Sequence, residues 1–198
     1  GITIQLRTSA LRALDSVLAY DTDGSWVLAL EQRGFVQCFI NAFHTLDAAV
    51  HQAVAQQSSG GVVDPGVVGY FEASMTLLSR IALTVHGAEM LVNIGVIDVM
   101  TLCPVLYAPE SVQDNTNSRG ESNLWHRTIM PCLSLIVTMG STLARPHRKF
   151  IEQTCHFMNG LVARRGRNGA FATTRETLVE RLMYVTTATT QLDRKSVV

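Results

Sequence analysis

Between residues 4 and 20 the apolar side chains Leu6, Ala10, Leu11, Leu14, Val17 and Leu18 recur three or four positions apart. That spacing returns once per helical turn and predicts a helix buried along one face. The chain then breaks at Asp21-Thr22-Asp23-Gly24, where Asp23 has the short acceptor side chain suited to capping a helix start. A short helix carrying Trp26, Leu28 and Leu30 is expected up to Arg33, with Gly34 as its stop. Phe35, Phe39, Phe43, Leu46, Val50 and Val54 mark a third helix over 35–57, ended by Gln57-Ser58-Ser59-Gly60-Gly61.

The same long, short, long order then begins again. Val68, Phe71, Met75, Leu78, Ile81 and Ala82 form a helical stripe over 67–84, a turn is expected at His86-Gly87, and a short helix runs to Asn93 before Gly95. Another apolar helix covers 96–105. Gly24-x3-Leu28-x-Leu30-x3-Gly34-Phe35-Val36 lines up with Gly87-x3-Leu91-Val92-x2-Gly95-Val96-Ile97, the second glycines 61 residues apart. Self-similarity at a fixed distance points to stacked units that bury their apolar faces only against neighbours.

The expected fold class is therefore all-α, an armadillo/HEAT-like α-solenoid of superhelical helical repeats. Residues 1–60 are expected to be the first three-helix repeat, 65–107 the second, 108–123 a mobile polar insertion, and 124–198 the C-terminal helices of one continuous segment. Those helices cover 124–145, with Pro131 in the first turns, and 146–164, carrying Phe150, Ile151, Cys155, Phe157, Met158 and Val162. A last one covers 174–190, with Leu178, Leu182, Met183 and Val185 inward. Nothing reads as a strand of a sheet.

Of the 198 residues, 47% are hydrophobic and 16% charged, against an average of ~25% charged, so the chain can bury a core and is not disordered throughout. The formal net charge of zero offers no overall pull toward nucleic acid or anionic lipid. It conceals an asymmetry: residues 1–126 carry a net −7 and residues 127–198 a net +7. Fourteen of the sixteen basic residues are arginine, the planar donor that interfaces favour. The longest uncharged run, 128–144, is short for a membrane span and holds Pro131 and Gly140.

Candidate chemistry is sparse. Cys38, Cys103, Cys132 and Cys155 lie far apart among apolar neighbours and read as reduced core residues, and no Asn-x-Ser/Thr acceptor or leader pattern argues for secretion. Cys155-His156 is the one Cys/His adjacency, but helix neighbours point about 100° apart, which excludes a nucleophile–base pair. His44 and His51 share a helix face, and only Cys38 and Asp47 stand near as further metal ligands. No phosphate-cradling glycine loop occurs. The chain is thus expected to be no enzyme, without cofactor or small-molecule substrate. Two basic clusters, Arg145 to Lys149 and the turn with Arg164, Arg165 and Arg167, lack the interleaved aromatics of a nucleic-acid site. The second, Arg164, Arg165 and Arg167, is the candidate partner-binding site, suited to an acidic protein partner.

The stretch from Tyr70-Phe71-Glu72-Ala73-Ser74-Met75-Thr76-Leu77-Leu78-Ser79-Arg80-Ile81-Ala82 through Gly87-Ala88-Glu89 to Gly95-Val96-Ile97 resembles the C-terminal region of the giant α-solenoid scaffold nucleoporins of the nuclear pore inner ring. Trp125-His126-Arg127, Met130-Pro131-Cys132-Leu133-x-Leu135 and His156-Phe157 follow in the family's order. The likeness covers about residues 65–165, with the flanks matching by pattern. It implies a piece of a longer chain at the nuclear pore complex of the nuclear envelope. It implies a non-enzymatic scaffold, not membrane-spanning, that supports nucleocytoplasmic transport by binding other nucleoporins, including short helical segments of adaptor or linker nucleoporins. An armadillo-type adaptor or transport-receptor-like module, binding peptide or cargo reversibly, is the alternative. It requires an exposed ladder of Asn and Trp, whereas Trp26 and Trp125 stand alone.

Overall fold

The Thr3 hydroxyl accepts from the Leu6 amide and starts α1, Ile4–Leu18, which turns Leu11 and Leu18 inward. This computed structural model describes residues 3–21, 24–55, 63–107, 124–143 and 147–165. After α1 come α2, Ser25–Gln32, and α3, Phe35–Ala55. Pro65 opens α4, Pro65–Ile81, behind Asp64, whose carboxylate accepts from the Gly66 amide. Then follow α5, Val85–Ile94, α6, Val96–Leu102, a 3-10 turn, Pro104–Tyr107, α7, Leu124–Thr142, and α8, Arg148–Arg165. Among the described residues there is no strand. The expected insertion 108–123, Arg167 and the expected helix 174–190 lie outside the described residues.

Three rows of helices organise these elements. α4 packs between α1 and α7; α2 packs on α5; α3 packs on α6 and the 3-10 turn, which in turn carry α8. Each element thus touches the one equivalent to it in the next unit, the arrangement of an α-solenoid. The polar links between units say the same. Arg80 Nε donates to Asp15 (3.1 Å), Glu31 meets His86 (2.8 Å), Arg127 grips Glu72 with two bonds (2.7 and 2.9 Å), and Lys149 donates to the Asn93 carbonyl (3.1 Å). These partners stand 55 to 65 residues apart in sequence. Asp15 and Arg80 sit near the C-terminal ends of α1 and α4, and Ile4 packs over Gly66 at their N-terminal ends, so the two helices run parallel.

α4 is the centre of the core. Val68, Tyr70, Phe71, Met75, Leu77, Leu78 and Ile81 are all buried, because a helix flanked on several sides has almost no solvent face. Phe71 meets Phe43 edge to face, with centroids 5.2 Å apart. α5 and α6 are apolar for the same reason: they meet at a 44° bend and bury Leu91, Val92, Val96, Ile97 and Met100. Among the described residues no single helix is long and apolar enough to cross a membrane.

Several expectations are corrected. Asp23 lies outside the described residues; α2 is headed by Gly24, whose side chain offers no cap, and Asp21 supplies one instead by accepting from the Trp26 and Val27 amides. Its carboxylate reaches across the turn because Gly24 adopts φ +74°. The expected turn at His86-Gly87 is the first turn of α5, and the chain reverses at residues 82–84, where the Thr84 hydroxyl accepts from the Gly87 amide. The second glycines of the aligned motifs do match in conformation, Gly34 at φ +69° and Gly95 at φ +81°; the first ones, Gly24 and Gly87, do not. Leu6 and Val17, expected on the buried stripe of α1, are exposed, as are Trp26, Leu28, Phe35 and Ile151, because each lies on a side of its helix that no neighbour covers. Pro104 ends α6 earlier than expected, through its missing amide and its hindrance of the preceding residue.

Candidate interaction surface

α1 and α4 end at the same edge of the stack, and the residue after each C-cap, Tyr20 after Ala19 and Leu83 after Ala82, projects into solvent. Tyr20 is 85% exposed and Leu83 58%. The helices that leave these corners add Trp26 in the first turn of α2, 53% exposed, and Val85 in the first turn of α5, 47% exposed. Two successive units therefore offer apolar side chains at corresponding corners. An exposed apolar set that recurs along a solenoid is a surface for partners. Asp21 and Thr84 hold the corners by capping the helices that follow.

Sequence reading placed Trp26 on the short helix without giving its direction and left Tyr20, Leu83 and Val85 without a role. The available signal was their place in the repeat: each falls within a few residues of a helix end, at matching points of the two units.

The first basic cluster is largely taken up by the fold. His147 Nδ1 accepts from the Phe150 amide at the start of α8, Arg148 pairs with Glu152 on its own helix, and Lys149 neutralises the C-terminal end of α5 at Asn93. Arg164 and Arg165 belong to the last turn of α8, and Arg167 lies outside the described residues.

The candidate catalytic and metal residues do not assemble. Cys155 and His156 are neighbours on the exposed side of α8, and Cys155 is not a core residue, because Gln153, Thr154 and Phe157 face inward. Gln153 donates to Asp98 on α6, while its own carbonyl and the Thr154 hydroxyl are buried with no partner. His51 approaches Asp47 at 3.6 Å, His44 points outward, and Cys38 is exposed as well. Among the described residues no three His, Cys, Asp or Glu side chains gather to hold a metal. Cys103 and Cys132 are the two buried thiols, and burial, with the adjacent Cys103 thiol adding to it, raises the Cys132 thiol well above its ordinary range.

A family model described as nuclear pore complex scaffold, nucleoporins 186/192/205, matches residues 5–165, the span from α1 to the end of α8. The chain belongs to that family. It is a nucleoporin of the nuclear pore complex scaffold, and the family is structural, not enzymatic. No curated protein matches the chain.

Proposed function

We propose that this chain is a C-terminal α-solenoid segment of an inner-ring scaffold nucleoporin, and that it supports nucleocytoplasmic transport by holding other nucleoporins in place. Its units are residues 1–60, 65–107 and the C-terminal helices from 124, with the polar insertion 108–123 between them. The ligands are short amphipathic helical segments of adaptor or linker nucleoporins, laid along the edge formed by Tyr20, Trp26, Leu83 and Val85. The observation that carries this reading is the recurrence of exposed apolar residues at equivalent corners of two stacked units. Helix-in-groove recognition uses such spaced apolar anchors. Arg164, Arg165 and Arg167 form a second contact, for acidic residues flanking the docked helix.

The test is a pull-down from nuclear extract with the chain as it stands, read by mass spectrometry, beside two variants. One carries Tyr20→Ser, Trp26→Ser and Leu83→Ser; the other carries Arg164→Glu, Arg165→Glu and Arg167→Glu. Nucleoporins are expected with the unaltered chain and lost with the first variant, and their loss with the second places a contact on the basic turn. Recovery of diverse cargo without nucleoporins overturns the scaffold reading in favour of a cargo adaptor.

A further inference from the structure

α1 and α4 lie side by side, run parallel, and end at the edge where Asp15 meets Arg80. Parallel neighbours in such a row stand about 8 to 10 Å apart. Tyr20 and Leu83 leave the two C-caps at that edge, so the exposed side chains start about one interaxial distance from each other. That separation matches two residues seven positions apart on one side of a helix, about 10.5 Å along its axis. The fit is to a helix lying across the ends of α1 and α4.

The charge at this edge is mostly of one sign. The carbonyl end of a helix carries roughly half a negative charge, and two such ends stand here next to one another. α1 has no basic residue in its last turn, and the one in α4, Arg80, is engaged by Asp15. Asp21 follows Tyr20 directly. Its two oxygens accept from neutral donors, the Ser25 hydroxyl and the Trp26 and Val27 amides, so capping α2 leaves its charge uncompensated. Glu89 sits one turn beyond Val85 on the same side of α5 and is exposed. Among the described residues neither Asp21 nor Glu89 has an ion-pair partner. His86, beside Val85, meets Glu31, and Arg33 stands at the other end of α2, about two turns from Trp26.

We propose that the stretch of partner helix crossing these corners is cationic. Two apolar side chains seven positions apart seat on Tyr20 and Leu83, and Lys or Arg beside them faces the ends of α1 and α4, Asp21 and Glu89. This rests on the reading above and adds to it the register and charge of the bound stretch; Arg164, Arg165 and Arg167 meet a different, acidic stretch of the ligand.

The experiment uses the whole 198-residue chain and three dye-labelled synthetic helical peptides, followed by fluorescence anisotropy. The first has leucines seven positions apart flanked by lysines, the second the same leucines flanked by glutamates, and the third the lysines with the leucines moved to opposite sides of the helix. The first is expected to bind at least about tenfold more tightly than either of the others, and its advantage over the second to shrink as salt rises. Asp21→Asn keeps the oxygen that caps α2 and removes the charge; combined with Glu89→Gln it is expected to weaken the lysine peptide about threefold to tenfold and to leave the glutamate peptide no weaker. Tyr20→Ser with Leu83→Ser abolishes binding of the lysine peptide. Equal binding of the lysine and glutamate peptides, or tighter binding of the latter, overturns the proposal, as does undiminished binding of the lysine peptide to the Asp21→Asn, Glu89→Gln chain. The nuclear-extract pull-down decides the wider reading separately: nucleoporins captured by a chain that shows no preference for the lysine peptide leave that reading standing and this one refuted.

Discussion

Phe71→Ala removes a ring that has no accessible surface, at the centre of α4, where α1, α3 and α7 converge. Truncating a fully buried phenylalanine costs about 3 to 5 kcal/mol through lost transfer energy and the cavity left behind. The edge-to-face contact with Phe43, centroids 5.2 Å apart and planes at 83°, accounts for about 0.5 to 1.5 kcal/mol of such a loss. The site sits at the high end of the range because several packed helices surround it and none can collapse into the gap alone. Against a total stability of about 5 to 15 kcal/mol, the variant loses a third or more of its margin. Urea unfolding of the chain, followed by far-UV circular dichroism, reads the change. Phe43→Ala and the double variant complete a cycle, in which the two losses sum to more than the double variant shows. A loss under about 1 kcal/mol for Phe71→Ala refutes the packing described for α4.

Arg127→Ala removes both bonds to Glu72 and lowers stability by about 1 kcal/mol, and Arg127→Lys restores little of it because one ammonium cannot reproduce the paired geometry; urea midpoints compare the three. Gly87→Ala places a Cβ 2.1 Å from the Ile81 carbonyl oxygen, so the corner between α4 and α5 must open; the expected loss is at least about 2 kcal/mol by thermal melting. Native protein is expected to react with a thiol reagent at Cys38 and Cys155 and to shield Cys103 and Cys132, with labelled peptides identified by mass spectrometry. Because folding raises the Cys132 thiol, its contribution to stability is complete below the ordinary thiol range, about 8.5, and declines as pH climbs through the raised folded value. Cys132→Ser removes that alkaline decline, measurable as urea midpoints across the alkaline range.

The number and order of the described helices were legible in the sequence because apolar residues at three and four residue intervals have no other compact use. Phe39, Phe43, Phe71, Met75 and Leu78 are core residues in both readings, and Gly34 and Gly95 stop their helices at positive φ as their placement foretold. The family was legible from the order of packing motifs over residues 65–165, and the match to residues 5–165 bears it out. What the pattern did not settle was the direction of apolar residues on helices that keep a side open to solvent. Leu6, Val17, Trp26 and Ile151 fit a helical stripe equally well whether that stripe faces a partner helix or water.

Periodicity alone settles that a face is apolar; it does not say which helix lies against it. That second fact depends on contacts between residues 55 to 65 positions apart, such as Glu72 with Arg127 and Glu31 with His86, which no local pattern encodes. The sequence by itself determined an all-helical, repeating chain of the nuclear pore scaffold family. Only the tertiary structure decided that Tyr20, Trp26, Leu83 and Val85 stand in solvent, where α1 and α4 end and α2 and α5 begin. Stacking alone determines which side of each amphipathic helix is left over.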